Sequence, residues 1–89
     1  MYELVYWRYG AKFTDEFESM ASAIDTWVAG FDYGECFSPG FVNRHKKIAY
    51  LPNFGSSDKG VKEGLALLEE GLGNSLADFQ TESFEIPPP

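Results

Sequence analysis

Between Tyr2 and Tyr9 nearly every residue is aromatic or branched and apolar, and on both parities: Tyr2, Leu4 and Tyr6 form one alternate set, Val5, Trp7 and Tyr9 the other. A repeat of two residues is what a β-strand needs, because successive side chains point to opposite faces, and aromatic and β-branched types favour that state. A chain of 89 residues hides only roughly 60–65% of its unfolded surface, so whether so apolar a strand is a wall of the core or a binding platform bears directly on function. Gly10 ends the run, and "RYGAK" reads as a hairpin turn. A return strand from Lys12 to about Glu18 places Phe13 and Phe17 on one face with Asp15 between them, and Thr14, Glu16 and Glu18 on the other.

The period then changes. Met20, Ile24, Trp27, Val28 and Phe31 recur at helical spacing and form a core-facing stripe. Ser19 suits the N-cap, while Ser22 with Asp25 matches a capping box one turn later. Gly30 or Gly34 stops the helix, and "DYGE" is its exit loop. In the next stretch Phe41 and Val42 lead into "NRHKK", and Ile48 to Leu51 return, which predicts a second hairpin. Pro39 and Pro52 bracket it; lacking an N–H, both are expected at strand ends or edges. A second helix follows, capped by Ser57 or Asp58, with Val61, Leu65, Leu68 and Leu72 as its stripe. Gly60, Gly64, Gly71 and Gly73 weaken it, each interior glycine costing about 1 kcal/mol relative to alanine, so it leans on tertiary packing or a partner. "SLADFQTESFEI" reads as a helical turn and a short edge strand.

The expected fold is therefore α+β: a small antiparallel sheet in ββαββα order, helices packed on one face, two layers. Residues 1–86 make one domain and 87–89 a proline-rich stub in polyproline geometry.

The formal charge of −7 is unevenly spread. Residues 1–35 and 58–89 each hold seven acids and two bases, whereas 36–57 hold no acid but Arg44, His45, Lys46 and Lys47. Such a surface repels nucleic acid and anionic membranes over about 8 Å, which speaks against direct nucleic-acid binding and favours a basic protein partner. No apolar run exceeds four residues, so neither a membrane span nor a signal-peptide core is expected. The single cysteine rules out an intrachain disulfide, and a cytoplasmic location fits best.

The aromatic strand has two readings. Rings alternating on a sheet can stack nucleic-acid bases, but that use needs a basic surround, and the nearby charges are mixed to acidic. Burial against the first helix accounts for one face. A sheet covered on one side then leaves Val5, Trp7 and Tyr9 facing water, as anchors for a protein partner. The turn Arg44–Lys47, with His45 and Lys46 inside it, is either a solvated hairpin, an anion clamp, or a self-association patch that meets acids on another copy. Cys36, His45 and Asp32 name a nucleophile, base and orienter, but no motif spacing joins them, so no catalytic residue is assigned. One thiol and one imidazole fall short of a structural zinc set, and the acidic pairs lack calcium-loop spacing; no metal or cofactor is expected.

The arrangement of "YWRYG", "FESMASAID" and "DYGE" resembles short uncharacterised accessory proteins of bacteriophages over roughly the first 50 residues. The resemblance implies a ββαβ core, an accessory role in phage–host interplay and the cytoplasm of a bacterial host; no site residue carries over.

Two functions from different classes follow. The favoured one is a non-catalytic, acidic protein-binding module, not an enzyme; on the resemblance it is a phage-encoded inhibitor of a host nucleic-acid-handling or defence protein. The alternative is an oligomeric binder of a small nucleotide-like anion, with rings stacking the base and Arg44–Lys47 holding phosphate.

Overall fold

A computed structural model describes residues 1–30, 36–52 and 58–85. Seven elements follow in order: β1 (Tyr2–Arg8), β2 (Ala11–Phe17), α1 (Met20–Gly30), β3 (Cys36–Asn43), β4 (Ile48–Pro52), α2 (Asp58–Leu72) and β5 (Gln80–Phe84). The strands form one five-stranded sheet in the order β2-β1-β3-β4-β5. The α+β class and the ββαββα order, extended by a last edge strand, match the sequence reading.

The layering differs from that reading. Leu4, Phe41, Tyr50 and Phe84 pack with Ala23 and Trp27 of α1, while Val5, Val42, Ala49 and Leu51 pack with Leu68 of α2 and with Leu76. Neighbouring strand residues belong to different clusters, so the helices cover opposite faces and the domain has three layers, not two. The sheet is also mixed: β1–β2, β1–β3 and β3–β4 are antiparallel, but β5 runs parallel to β4.

The strand directions account for the placement of the helices on opposite faces. Each helix links two strands of the same direction, β2 to β3 across β1 and β4 directly to β5. Both links move the same way across the sheet, on strands that point in opposite directions. Two crossovers of the same hand, as parallel crossovers nearly always are, must then lie on opposite faces.

Local signals position each element. The two-residue turn Tyr9–Gly10 has φ of 51° and 80°, the type I′ geometry that suits the twist of a hairpin. Ser19, rather than Ser22, caps α1: its Oγ accepts from Ser22 N–H at 3.1 Å, and its carbonyl from Ala23 N–H at 3.2 Å. Met20, Ile24, Trp27 and Val28 all face the core as their spacing predicts; Phe31 and the "DYGE" loop through Glu35 lie outside the described residues. So do the Ser57 cap and the stub at 87–89, and the Asp58 side chain is likewise not described.

The glycines of α2 have a packing role. A Cβ at Gly71 would overlap Val5 Cγ1 and lie 3.4 Å from the Trp7 ring. Glycine there lets the helix end sit directly on β1. The helix stops at Gly73, whose N–H donates to Glu69 O at 2.8 Å in left-handed geometry.

Pro39 also departs from expectation, lying buried within central strand β3. Between Val5↔Gly40 and Trp7↔Phe37, β3 spends one residue more than β1. This bulge frees Pro39 from the ladder. Ser38 holds it: its buried hydroxyl donates to Val5 O at 2.6 Å and accepts from Gly40 N–H at 3.2 Å, and Trp27 Nε1–H donates to Ser38 O at 3.3 Å. Gly40, at φ 139°, has no room for a Cβ against the Tyr50 carbonyl.

Candidate functional site

The bulge has a consequence for the surface. Phe37 and Phe41 are four residues apart and would share a face on a regular strand. The extra residue breaks that parity. Phe41 enters the α1 core, whereas Phe37 stands opposite Trp7 on the α2 side, with ring centroids 6.2 Å apart. Phe37 remains 51% exposed and, at the adjacent hairpin tip, Tyr9 is 77% exposed. Trp7 is half-buried against the end of α2 and backs this ring group.

The other side of the same sheet end carries a second ring group. Tyr6 stacks on Phe13 of β2 at 5.4 Å, and Phe13 is 44% exposed. The Tyr6 hydroxyl donates to Asp15 Oδ2 at 3.1 Å. Burial first, then that hydrogen bond and the carboxylate's charge, raises the Tyr6 pKa above the ordinary 10.0. Arg8 lies 6.0 Å from the Tyr6 ring, and the neighbouring Cys36 side chain is the main cause that raises its guanidinium pKa above the ordinary value.

Of the three anchors expected from the sequence, Val5 is corrected. It is fully buried under Gly71, because α2 covers the face that a two-layer fold would have left open. Trp7 is partly covered for the same reason, and Tyr9 is exposed because it forms the turn. Phe37 was missed by sequence reasoning. Its signal was the Pro39-Gly40 pair, which fits no regular central strand and marks the bulge that re-aims it.

The basic turn sits at the far end of the sheet. Arg44 clamps Glu3 through two contacts, 2.6 Å from Nε and 3.2 Å from an Nη atom, at the start of β1. His45, Lys46 and Lys47 are exposed. Lys46 N–H donates to Asn43 Oδ1 at 3.0 Å, and the Lys47 carbonyl accepts from Gln80 N–H at 2.9 Å, so the turn also anchors β5. Roughly 14 Å of strand separates Glu3 from Trp7; one chain does not bring Arg44–Lys47 together with the ring group. Cys36 and His45 likewise lie at opposite ends of β3, and Asp32 is outside the described residues.

Among the described residues no cluster of three or more His, Cys, Asp or Glu is placed to hold a metal. No helix among them is long and apolar enough to cross a membrane. No protein-family model, curated protein or solved structure matches this chain.

Proposed function

We propose that this protein is a non-catalytic binding module that engages a basic protein partner through the ring group at one end of its sheet. The observation that carries the reading is Phe37: the bulge turns a large apolar ring out of the core and holds it, half exposed, beside Trp7 and near Tyr9. Aromatic side chains backed by a rigid strand are the usual anchors of protein interfaces. The charge of −7 supplies attraction to a basic surface. On the resemblance of the first 50 residues to phage accessory proteins, that partner is a host protein that handles nucleic acid or serves defence.

The test is capture of partners from the native source by the tagged chain and by variants with an unchanged circular dichroism spectrum. Phe37→Ala and Tyr9→Ala are expected to weaken retention of a specific basic partner by about tenfold or more each, whereas Lys46→Ala, at the far end, leaves it intact. Equal retention by all four proteins would remove the ring group as the binding site. A rise in salt from low to physiological should slow association with little effect on dissociation.

A further inference from the structure

Strand β2 is the least covered part of the sheet: six consecutive residues, Ala11 to Glu16, are exposed, although both faces of the sheet carry helices. Among the described residues nothing pairs with its outer side. The direction of its backbone groups follows from two observations. A two-residue turn closes on Arg8↔Ala11, which makes that a hydrogen-bonded pair and makes every second pair after it non-bonded: Trp7↔Lys12, Val5↔Thr14 and Glu3↔Glu16. Independently, the Val5 carbonyl points at β3, where it accepts from Ser38 Oγ. Lys12, Thr14 and Glu16 therefore aim their N–H and C=O groups outward.

We infer that β2 pairs antiparallel with β2 of a second copy, about a two-fold axis at Thr14, to join the two sheets into one of ten strands. Such an axis sets a residue against its own copy. At Thr14, the midpoint of Ala11–Phe17, the whole strand overlaps, and the outward groups of Lys12, Thr14 and Glu16 all meet partners. The same register sets Lys12 opposite Glu16 of the other copy, twice, on the α2 face. Lys12 already donates to the Glu70 carbonyl at 3.2 Å, which holds its ammonium at that edge with donors to spare. Shifting the axis to Asp15 would oppose two like carboxylates, and shifting it to Phe13 would leave both Lys12–Glu16 pairs unmade. The other edge offers no such match, since β5 contains an acid, Glu82, and no base. Charges on an edge strand usually prevent edge-to-edge association; here their order makes the edge complementary to itself. The pairing places the two hairpin tips at opposite ends of the joined strands, roughly 27 Å apart, so the dimer presents two ring groups.

The test is the mass of the full chain by sedimentation equilibrium from micromolar to about millimolar concentration. We expect a species of twice 10.0 kDa. Lys12→Glu and Glu16→Lys should each raise the dimer dissociation constant about tenfold, and the double swap should restore it to within about threefold, because the pairs then reform with reversed sign. Thr14→Pro removes an outward N–H without taking a donor from the β1–β2 ladder, and should give monomer at every concentration. A monomer throughout for the native chain overturns the inference. So does a dimer that persists in Thr14→Pro, or a double swap no tighter than the single reversals. Should Thr14→Pro not fold, the charge swap alone decides. The partner-binding proposal stands apart, since Phe37→Ala leaves β2 untouched.

Discussion

The two faces of the sheet are built from different materials. On the α1 side the buried set is largely aromatic: Trp27, Phe41, Tyr50 and Phe84, with Tyr2 and Tyr6 at its margin. Phe41 lies at its centre, stacked on Tyr50 at 5.0 Å, tilted against Phe84 at 5.0 Å and edge-on to Tyr2 at 6.0 Å. On the α2 side the buried set is Val5, Val42, Ala49, Leu51, Leu68 and Leu76. Large rings fill the space between α1 and the strands. Small and branched side chains, with glycine at position 71, let α2 come close. The same sheet thus buries rings on one side and small or branched side chains on the other, with one close helix–strand contact at Gly71.

The largest effect is expected from removing bulk where bulk does the filling. Phe41→Ala should lose about 4 kcal/mol, from burial, the cavity and the ring contacts together. Leu68→Ala on the other face should lose about 3 kcal/mol. Against the roughly 5–13 kcal/mol expected for a chain of this length, the first change removes from about a third to most of the stability. Urea denaturation of both variants decides it. If Leu68→Ala proves the more costly, the α1 face is not the dominant core.

The next test breaks the close approach itself. Gly71→Ala adds about 1 kcal/mol of helix propensity, yet its methyl group overlaps Val5 Cγ1, which sits on a central strand and cannot retreat easily. We expect a net loss of about 1–2 kcal/mol, recovered by the double variant Gly71→Ala with Val5→Ala to within the cost of the smaller side chain. A stabilised Gly71→Ala would mean that α2 is free to shift.

These two faces also show how much the sequence disclosed. The strand and helix periods placed every element, and the stripes of Met20–Val28 and Val61–Leu72 face their cores as their spacing demands. The three-layer arrangement was legible in β1, apolar on both parities, because a strand that buries both Leu4 and Val5 needs cover on both sides. What concealed it was the assumption that both helices lie on the same face; strand direction, which sets the face, depends on pairings remote in sequence. The site was only partly legible for a similar reason. Tyr9 follows from the turn, but Phe37 depends on a bulge whose extra residue is fixed by contacts of Ser38 with Val5 and Trp27, 33 and 11 residues away.

That bulge supplies a test of similar size, because Ser38 ties α1 to the strand that α2 covers. Ser38→Ala strands the Gly40 N–H and removes a donor from Val5 O. The expected loss is about 1–3 kcal/mol. It should come with greater exposure or reorientation of Phe37, read by hydrogen exchange at Phe37–Gly40 and, if the binding proposal holds, by weaker partner capture. An unchanged exchange pattern would mean that Pro39 and Gly40 alone maintain the bulge.

The smallest effect separates the faces by chemistry. Tyr2, Tyr6 and Tyr50 border or belong to the α1 core, and among the described residues the α2 core contains no tyrosine. Burial first, then Tyr2 and the Glu82 carboxylate, raises the Tyr50 pKa above 10.0, with Lys46 opposing; Tyr6 is raised as well. A phenol whose pKa is higher in the folded state favours folding in its neutral form. Its contribution is complete below the unfolded value near 10 and is lost as pH rises through the folded value. Stability should therefore hold up to about pH 10 and decline above it, and the decline should begin at the α1 face. Ultraviolet titration of the phenolates, with Tyr50→Phe and Tyr6→Phe to assign the late components, measures the shifts directly. Hydrogen exchange at alkaline pH should show α1 amides opening before those of α2; opening in the reverse order would show that the aromatic face is not the one that ionisation loosens.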